Sequence, residues 1–470
     1  MVCLGRVVLV GIASAGALGS CGGSGGGGSA PPGVVITSEA DSILHLDQLR
    51  TAGFTGQNVR VGVISTGVEF LPSYQKAGVL PQTLYVSQNT AGHLDEGSWM
   101  LELVHQHAPD AALGFCDGLD LDFTGCIEDL VSNFHADIVV DDILFAGQFY
   151  PDASAAVVER LESTHPRLLF IHLAGNEQRG GYWQGPFVTA QAVLPGGPAA
   201  VLDFGSASGG ASDTSNSVTV PPGAHLILLL SWNDPPHGAS NHALSAYLLD
   251  GAGQELSHAS GASDPALRLD YTNTGAAARV VQLVVTLDSG AAAGLALQVT
   301  EGSPTCNIEC QALAHATRGL AGGTVGDFAD ALVVGATNAG APHTLEDWSN
   351  YGPFRLDFTA SADASSPDGY DYTRLATPLS VDKPDLVAPD CVTVPFSDGT
   401  TLANNMFCGT SAAVPAIAGA AALLESAGFD REAVLRSLRA TAVPLGAAAW
   451  DPGYGFGLAD AAAAWHTGGH

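Results

Sequence analysis

The segment Cys408-Gly409-Thr410-Ser411-Ala412-Ala413-Val414-Pro415 carries the residue best suited to covalent chemistry. Ser411 opens a stretch rich in alanine and glycine, a helix able to sit close against its neighbours. Backbone N–H groups at such a helix start can donate to an oxyanion forming beside the serine oxygen. A serine there is also an ordinary helix N-cap, and Gly-Thr-Ser alone does not separate the two roles. Carboxyl groups stand at other element ends. Glu96 opens the stretch Glu96 to His107, and Asp141-Asp142 break the apolar run Ala136 to Leu144. A glutamate can take a serine proton when its own pKa allows, most naturally in acid. A second carboxyl group beside it would share a proton with it. With Cys3 and Cys21 set aside, six cysteines remain in neighbouring pairs, Cys116 with Cys126, Cys306 with Cys310 and Cys391 with Cys408. Three local disulfides are the simplest account. No CxxC repeats, and His105 and His107, two apart on a helix, point to different faces. No metal and no other cofactor is therefore expected.

The elements that must position these groups alternate. Val59 to Val68 is an apolar strand ending in a turn, Glu96 to His107 a helix packed on one face, and Ala136 to Leu144 a second strand. Ala153 to Thr164 is helical, and Leu168 to Ala174 is a third strand that runs into Gly175-Asn176. Strands alternating with helices predict an α/β fold, a parallel sheet covered on both faces. Over residues 186–302 the pattern changes to short β-type runs such as His225 to Ser231 and Val280 to Thr286, separated by Pro221-Pro222-Gly223 and Asp250-Gly251. This predicts an all-β sandwich inserted into the α/β domain. Alternation then resumes with a strand at Ala329 to Ala336 and helices at Ser411 to Ala427 and Asp430 to Thr441.

A chain of 470 residues holds two or three structural units. Its formal charge is −31, from 47 acids against 16 bases, with Lys76 and Lys383 the only lysines. That balance repels nucleic acid and anionic membrane surfaces. Residues 1–21 read as an export signal: Arg6 precedes an apolar stretch, Val7 to Leu18, too short to span a bilayer. Leu18-Gly19-Ser20-Cys21 resembles the bacterial lipobox, in which the cysteine is acylated, and the only membrane contact expected is that lipid anchor. Residues 22–45, rich in Gly, Ser, Ala and Pro at their start, are expected to form a flexible tether. The expected product is a monomer exported to a bacterial envelope or beyond it.

The nucleophile segment, Gly-Thr-Ser followed by Ala-Ala-x-Pro, resembles that of the subtilisin-like serine peptidases, the subtilases. Other stretches resemble the family in chain order. Val61-Gly62-Val63-Ile64-Ser65-Thr66-Gly67 is similar to the strand that carries the triad aspartate. Leu173-Ala174-Gly175-Asn176-Glu177 is similar to the loop whose asparagine amide completes the oxyanion hole. Lys383-Pro384-Asp385-Leu386-Val387-Ala388-Pro389 and Gly453-Tyr454-Gly455-Phe456-Gly457-Leu458-Ala459-Asp460-Ala461 resemble the segments before and after the nucleophile. The resemblance implies a subtilisin-like domain in two parts, 46–185 and 303–470, with Ser411 as nucleophile and Asn176 as oxyanion donor. Two positions depart from the pattern. Ser65 stands where the aspartate belongs, and Glu96-Gly97-Ser98 replaces His-Gly-Thr.

A glutamate at the base position resembles the sedolisins, relatives with a Ser-Glu-Asp site. They place the partner aspartate four residues on, where this chain has Met100, and Glu102 lies too far around the helix to reach. By register Asp142 ends the strand beside the base and is the expected partner, with Asp95 as second choice. Asp141 should face the opposite side. The implied activity is acid-leaning hydrolysis of peptide bonds in a polypeptide substrate. The alternatives are a catalytically inactive binding protein of the envelope on the same fold, an esterase-type acyl transfer, or a base at His93. Trp232-Asn233-Asp234-Pro235 resembles accessory domains of secreted peptidases, and Asp451 and Asp460 are the acids that a structural calcium ion would use.

Overall fold

A computed structural model describes residues 8–10, 37–87, 94–118, 123–145, 149–151, 153–178, 180–236, 241–261, 265–301, 313–319, 331–363, 365–366, 369–447 and 449–468. Its organising element is a parallel sheet of seven strands. In chain order these are β1 (Arg60–Ser65), β2 (Tyr85–Val86), β3 (Ala112–Asp117), β4 (Ile138–Asp141), β5 (Leu169–Leu173), β6 (Leu332–Asn338) and β7 (Leu386–Asp390). The spatial order is β7-β6-β5-β4-β1-β3-β2, and every neighbouring pair is parallel. The mixed α/β reading thus matches the structure.

Alternation along the strands assigns each residue to a face. Val61 and Val63 on β1, Ile138 and Val140 on β4, and Leu169, Ile171 and Leu173 on β5 enter one apolar cluster. Helices α1 (Glu96–His107) and α4 (Thr410–Ser426) cover that face. Ile64, Val139 and Phe170 enter a second cluster, covered by α2 (Phe123–Ser132) and α3 (Ala153–Thr164). Both faces are buried, which is why these strands are apolar throughout. Small residues bring α1 and α4 together. A Cβ on Gly419 would lie 2.5 Å from the Cβ of His107, so only glycine permits that crossing.

The predicted strand 136–144 is interrupted. β4 ends at Asp141, Asp142 leaves the ladder, and Ile143–Phe145 forms a separate short strand paired antiparallel with Val8–Val10. The tether also ends earlier than residue 45. Ser38, Ala40 and Leu44 are buried, and Glu39–Ile43 is helical. Ser38 Oγ lies 2.9 Å from His107 Nε2, and Arg50 pairs with Asp41 at 2.6 Å. Apolar side chains and an ion pair hold this segment to the domain, against the flexibility read from the glycine-rich run before it.

Residues 182–301 form two further sheets. A four-stranded one contains Ala266–Thr272, His225–Trp232, Ala296–Glu301 and Tyr182–Pro186. A six-stranded one contains Glu255–Gly261, Ala243–Leu249, Arg279–Ser289, Gly197–Leu202, Thr189–Leu194 and Asn216–Val220. Leu226, Leu228 and Leu230 of the first share an apolar cluster with Leu244, Leu248 and Leu283 of the second. Strand 182–186 joins this region, so the β segment begins before residue 186. Ile227 and Leu229, on the outer side, enter the α/β cluster instead. Strand 225–232 is therefore apolar on both sides.

Candidate active site

Parallel strands deliver their carboxyl ends, and the loops that follow, to one edge. Both α1 and α4 begin there. α1 starts just beyond β1, where Gly97 N donates to Gly67 O at 3.1 Å. α4 starts beside the loop after β5, where Gly175 N donates to Thr410 Oγ1 at 3.3 Å. β4, which leads into Asp142, lies between β1 and β5.

Ser65, Glu96 and Asp142 meet at this edge. Alternation places Ser65 and Asp142 on the face that α1 and α4 cover, and all three are almost wholly buried. Asp142 N donates to Ile64 O at 3.3 Å, and Thr66 Oγ1 donates to Glu96 Oε2 at 3.4 Å. Burial pushes the Asp142 carboxyl well above its ordinary range. The facing Glu96 charge pushes it the same way, and Ser65 opposes them. Two buried carboxyl groups that face each other cannot both ionise cheaply, so one proton for the pair is the favoured state. Asp117, buried at the end of β3 and paired in register with Ser65, brings a further carboxyl group to this edge. Sequence reasoning missed it, although it closes an apolar strand just as Asp141 does.

Asp95, the second-choice partner, is engaged elsewhere. It accepts from Phe70 N at 3.0 Å, Ser98 Oγ at 2.8 Å and Tyr74 OH at 2.8 Å. Those bonds brace the first turn of α1. Tyr74 OH in turn accepts from Trp99 Nε1 and Ser397 N, each at 3.0 Å. Glu102 is fully buried and takes a hydrogen bond from Gln106 at 3.2 Å. His93 lies outside the described residues.

Ser411 is fully buried and its Oγ makes no hydrogen bond among the described residues, so it does not bond Glu96 directly. The loop before it is tightly held. Asn176 Oδ1 accepts from Thr410 N at 2.9 Å and from Thr410 Oγ1 at 3.0 Å. Two donors on the oxygen orient the amide and leave Nδ2 as the donating end. That nitrogen lies against Gly409, where a Cβ would come within 3.1 Å of it and where φ is +92°. Glycine is required there on both counts. Within α4, Pro415 lacks the N–H that would bond the carbonyl of Ser411.

Residues 292–457 match the model of the Subtilase family. The match supports the subtilisin-like superfamily and points to a serine-type hydrolase. It contains Ser411 and the two segments that flank it, Lys383 to Pro389 and Gly453 to Gly457. No curated protein matches the chain.

The disulfides Cys116–Cys126 and Cys391–Cys408 are present, while Cys306 and Cys310, like Cys21, lie outside the described residues. The acids suggested for calcium have other work. Asp451 accepts from the backbone of Ala447, Gly453 and Tyr454 in a turn. Asp460 caps the helix Ala461–Thr467 through Ala463 N. Among the described residues, Asp234 of the Trp-Asn-Asp motif accepts from His242 Nδ1 at 2.8 Å and Asn241 N at 3.0 Å, holding a loop.

Proposed function

We propose that the protein is a serine endopeptidase of the sedolisin-like kind, working best in acid, with Ser411 as nucleophile, Glu96 as base, Asp142 as its partner and Asn176 as oxyanion donor. The observation that carries this reading is the buried Glu96–Asp142 pair at the sheet edge where the Ser411 helix begins. In the reaction, Ser411 Oγ attacks the scissile carbonyl carbon while its proton passes to the Glu96 carboxylate. The carbonyl π electrons move to oxygen, where the Ser411 N–H and Asn176 Nδ2 donate to the resulting oxyanion. Collapse expels the amine, which takes the proton from Glu96, and leaves an ester on Ser411. Water repeats the sequence with Glu96 again as base and releases the acid. Asp142 holds the shared proton, so Glu96 meets the serine as a carboxylate without a second charge beside it.

The strand Ile143–Phe145, directly after Asp142, pairs with Val8–Val10 of the stretch read as an export signal, and once that stretch is removed the same edge is suited to an extended polypeptide. We read the sheets of residues 182–301 as an inserted sandwich, and residues 1–21 as an export signal that leaves a monomeric protein anchored through acylated Cys21. A serine-directed phosphonate offered between pH 3 and 8 tests the reading. Labelling of Ser411 that is strongest in acid supports it. Absence of labelling across that range, with no cleavage of denatured proteins, replaces it by the inactive binding protein.

A further inference from the structure

A second pair of carboxyl groups sits beside the nucleophile loop, at the end of β7, three strands away from the β4 end that carries Asp142. Asp390 ends β7 and is fully buried, and Glu346, in the loop after β6, is 8% exposed. A carboxylate oxygen of each lies within 4.8 Å of the other. Asp390 Oδ2 accepts from Gly409 N at 2.7 Å, two residues before Ser411. Glu346 Oε1 accepts from Asn338 Nδ2 at 2.6 Å. The next residue, Cys391, is tied to Cys408, so the same strand end holds the loop by a covalent bridge and by a hydrogen bond.

We infer that Glu346 and Asp390 share one proton and through it hold the Gly409 amide, which makes them positioning residues for Ser411. Neither carboxyl forms an ion pair among the described residues, and two buried, unpaired negative charges at this separation repel strongly. Something positive must lie between them. A divalent cation would need a shell of oxygen ligands. The groups aimed at this pair are instead N–H donors, from Gly409 and Asn338, with the Trp348 indole also favouring the charged form of Asp390. Cys391 Sγ is in a disulfide and is no thiolate ligand. A proton fits this surrounding and a metal does not.

The charged groups on the elements packed here do not replace that proton. Asp347 adjoins Glu346 in the chain. Glu39 accepts from Thr393 N and Oγ1 at 2.7 Å on the following strand. Lys383 and Arg439 both pair with Asp385 at the opposite end of β7, each at 2.8 Å. α1, packed on strand Val392–Ser397, carries Glu96, Glu102, His105 and His107. Burial and the facing Glu346 both raise the Asp390 carboxyl well above its ordinary range, in keeping with a retained proton. When it leaves, repulsion must separate the carboxyl groups, and Asp390 is the one bonded to the loop.

The kinetic consequence rests on Ser411 being the nucleophile; the anchoring itself does not. Hydrogen exchange of the Gly409 amide, measured by NMR from pH 4 to 8 on the whole protein, separates the two. In the wild type the opening constant should rise about tenfold per pH unit while the closed pair keeps a proton that the opened loop has lost, and level off once the closed pair releases it. Glu346→Gln keeps the shape, can donate an amide N–H to Asp390, and should flatten that rise. Glu346→Leu leaves Asp390 alone to hold Gly409 and should also be flat. A flat wild type, or a slope retained in the glutamine variant, overturns the inference. So does protection that changes with added calcium or chelator, which would mean a bound cation. The rate of Ser411 labelling by phosphonate should follow the same titration. Exchange that behaves as expected while Ser411 never labels leaves the anchoring in place and removes the peptidase reading.

Discussion

Asp141 and Asp142 are neighbours in the chain, equally buried, and face opposite sides of the sheet. Asp141 meets a base: both of its oxygens lie 2.9 Å from His172 Nδ1 on β5. Burial raises its carboxyl, and His172 and the Ile143 N–H pull it back down. Asp142 meets an acid. Burial raises it too, but the facing Glu96 adds to the rise instead of opposing it. The same residue type at the same strand end thus faces an imidazole on one side of the sheet and a second carboxyl group on the other. The group that each one faces, not burial, distinguishes the two.

The largest effect that could break this contrast comes from the chemical face. Ser411→Ala should abolish phosphonate labelling and lower turnover by roughly 10⁴–10⁶-fold. Glu96→Gln should cost about 10²–10⁴-fold and leave the residual catalysis of the oxyanion donors. Full activity in the glutamine variant would hand the base role to another group.

The structural face should respond in stability. Asp141→Ala leaves the buried His172 Nδ1 without its partner and should destabilise the fold by about 1–3 kcal/mol, read as a lower denaturant midpoint. Its pH–rate profile should keep its shape. Asp142→Asn should do the reverse. Without a proton to share, the decline toward neutral pH should disappear along with part of the rate. If the two variants behave alike, the two faces are not distinct.

Asn176→Ala should lower turnover by roughly 10²–10³-fold, the usual effect of one oxyanion donor. Unchanged turnover would place the donor elsewhere.

The smallest effect concerns stability against pH and sharpens the cost of working in acid. Burial holds the His107 imidazole down to about 4. Below about 6.5 the unfolded histidine binds a proton that the folded one refuses, so stability falls as pH drops from there to about 4, by roughly 3 kcal/mol. Glu425 runs the other way. Its carboxyl is pushed up to about 7, by burial first and against the pull of Arg167, so its share of stability is present in acid and fades as pH rises toward 7. Thermal unfolding of His107→Gln should show a flatter acid limb than the wild type.

Much of this arrangement was legible in the residues. Helix 96–107 and helix 153–164 have the bounds their apolar spacing predicts. Two of the three cysteine pairs are bonded, since short separations leave few other partners. Other features were not legible. Ser38 to Leu44 follow a glycine-rich run and yet dock on His107, because a buried imidazole on a distant helix offers them a partner. Glu346 and Asp390 are 44 positions apart and carry no motif; only the parallel pairing of β6 with β7 brings them together.

By itself the sequence determined the period of each element, the two-faced burial of the parallel strands and the presence of a serine at a helix start. Those properties depend on neighbours within a few positions. Which carboxyl group meets which partner was decided only by tertiary structure. Strand order placed Asp142 between the Glu96 and Ser411 helices, gave Asp141 to His172, and turned Asp95 toward Tyr74. A proton's position depends on charges within a few ångströms in space, and chain distance does not measure that.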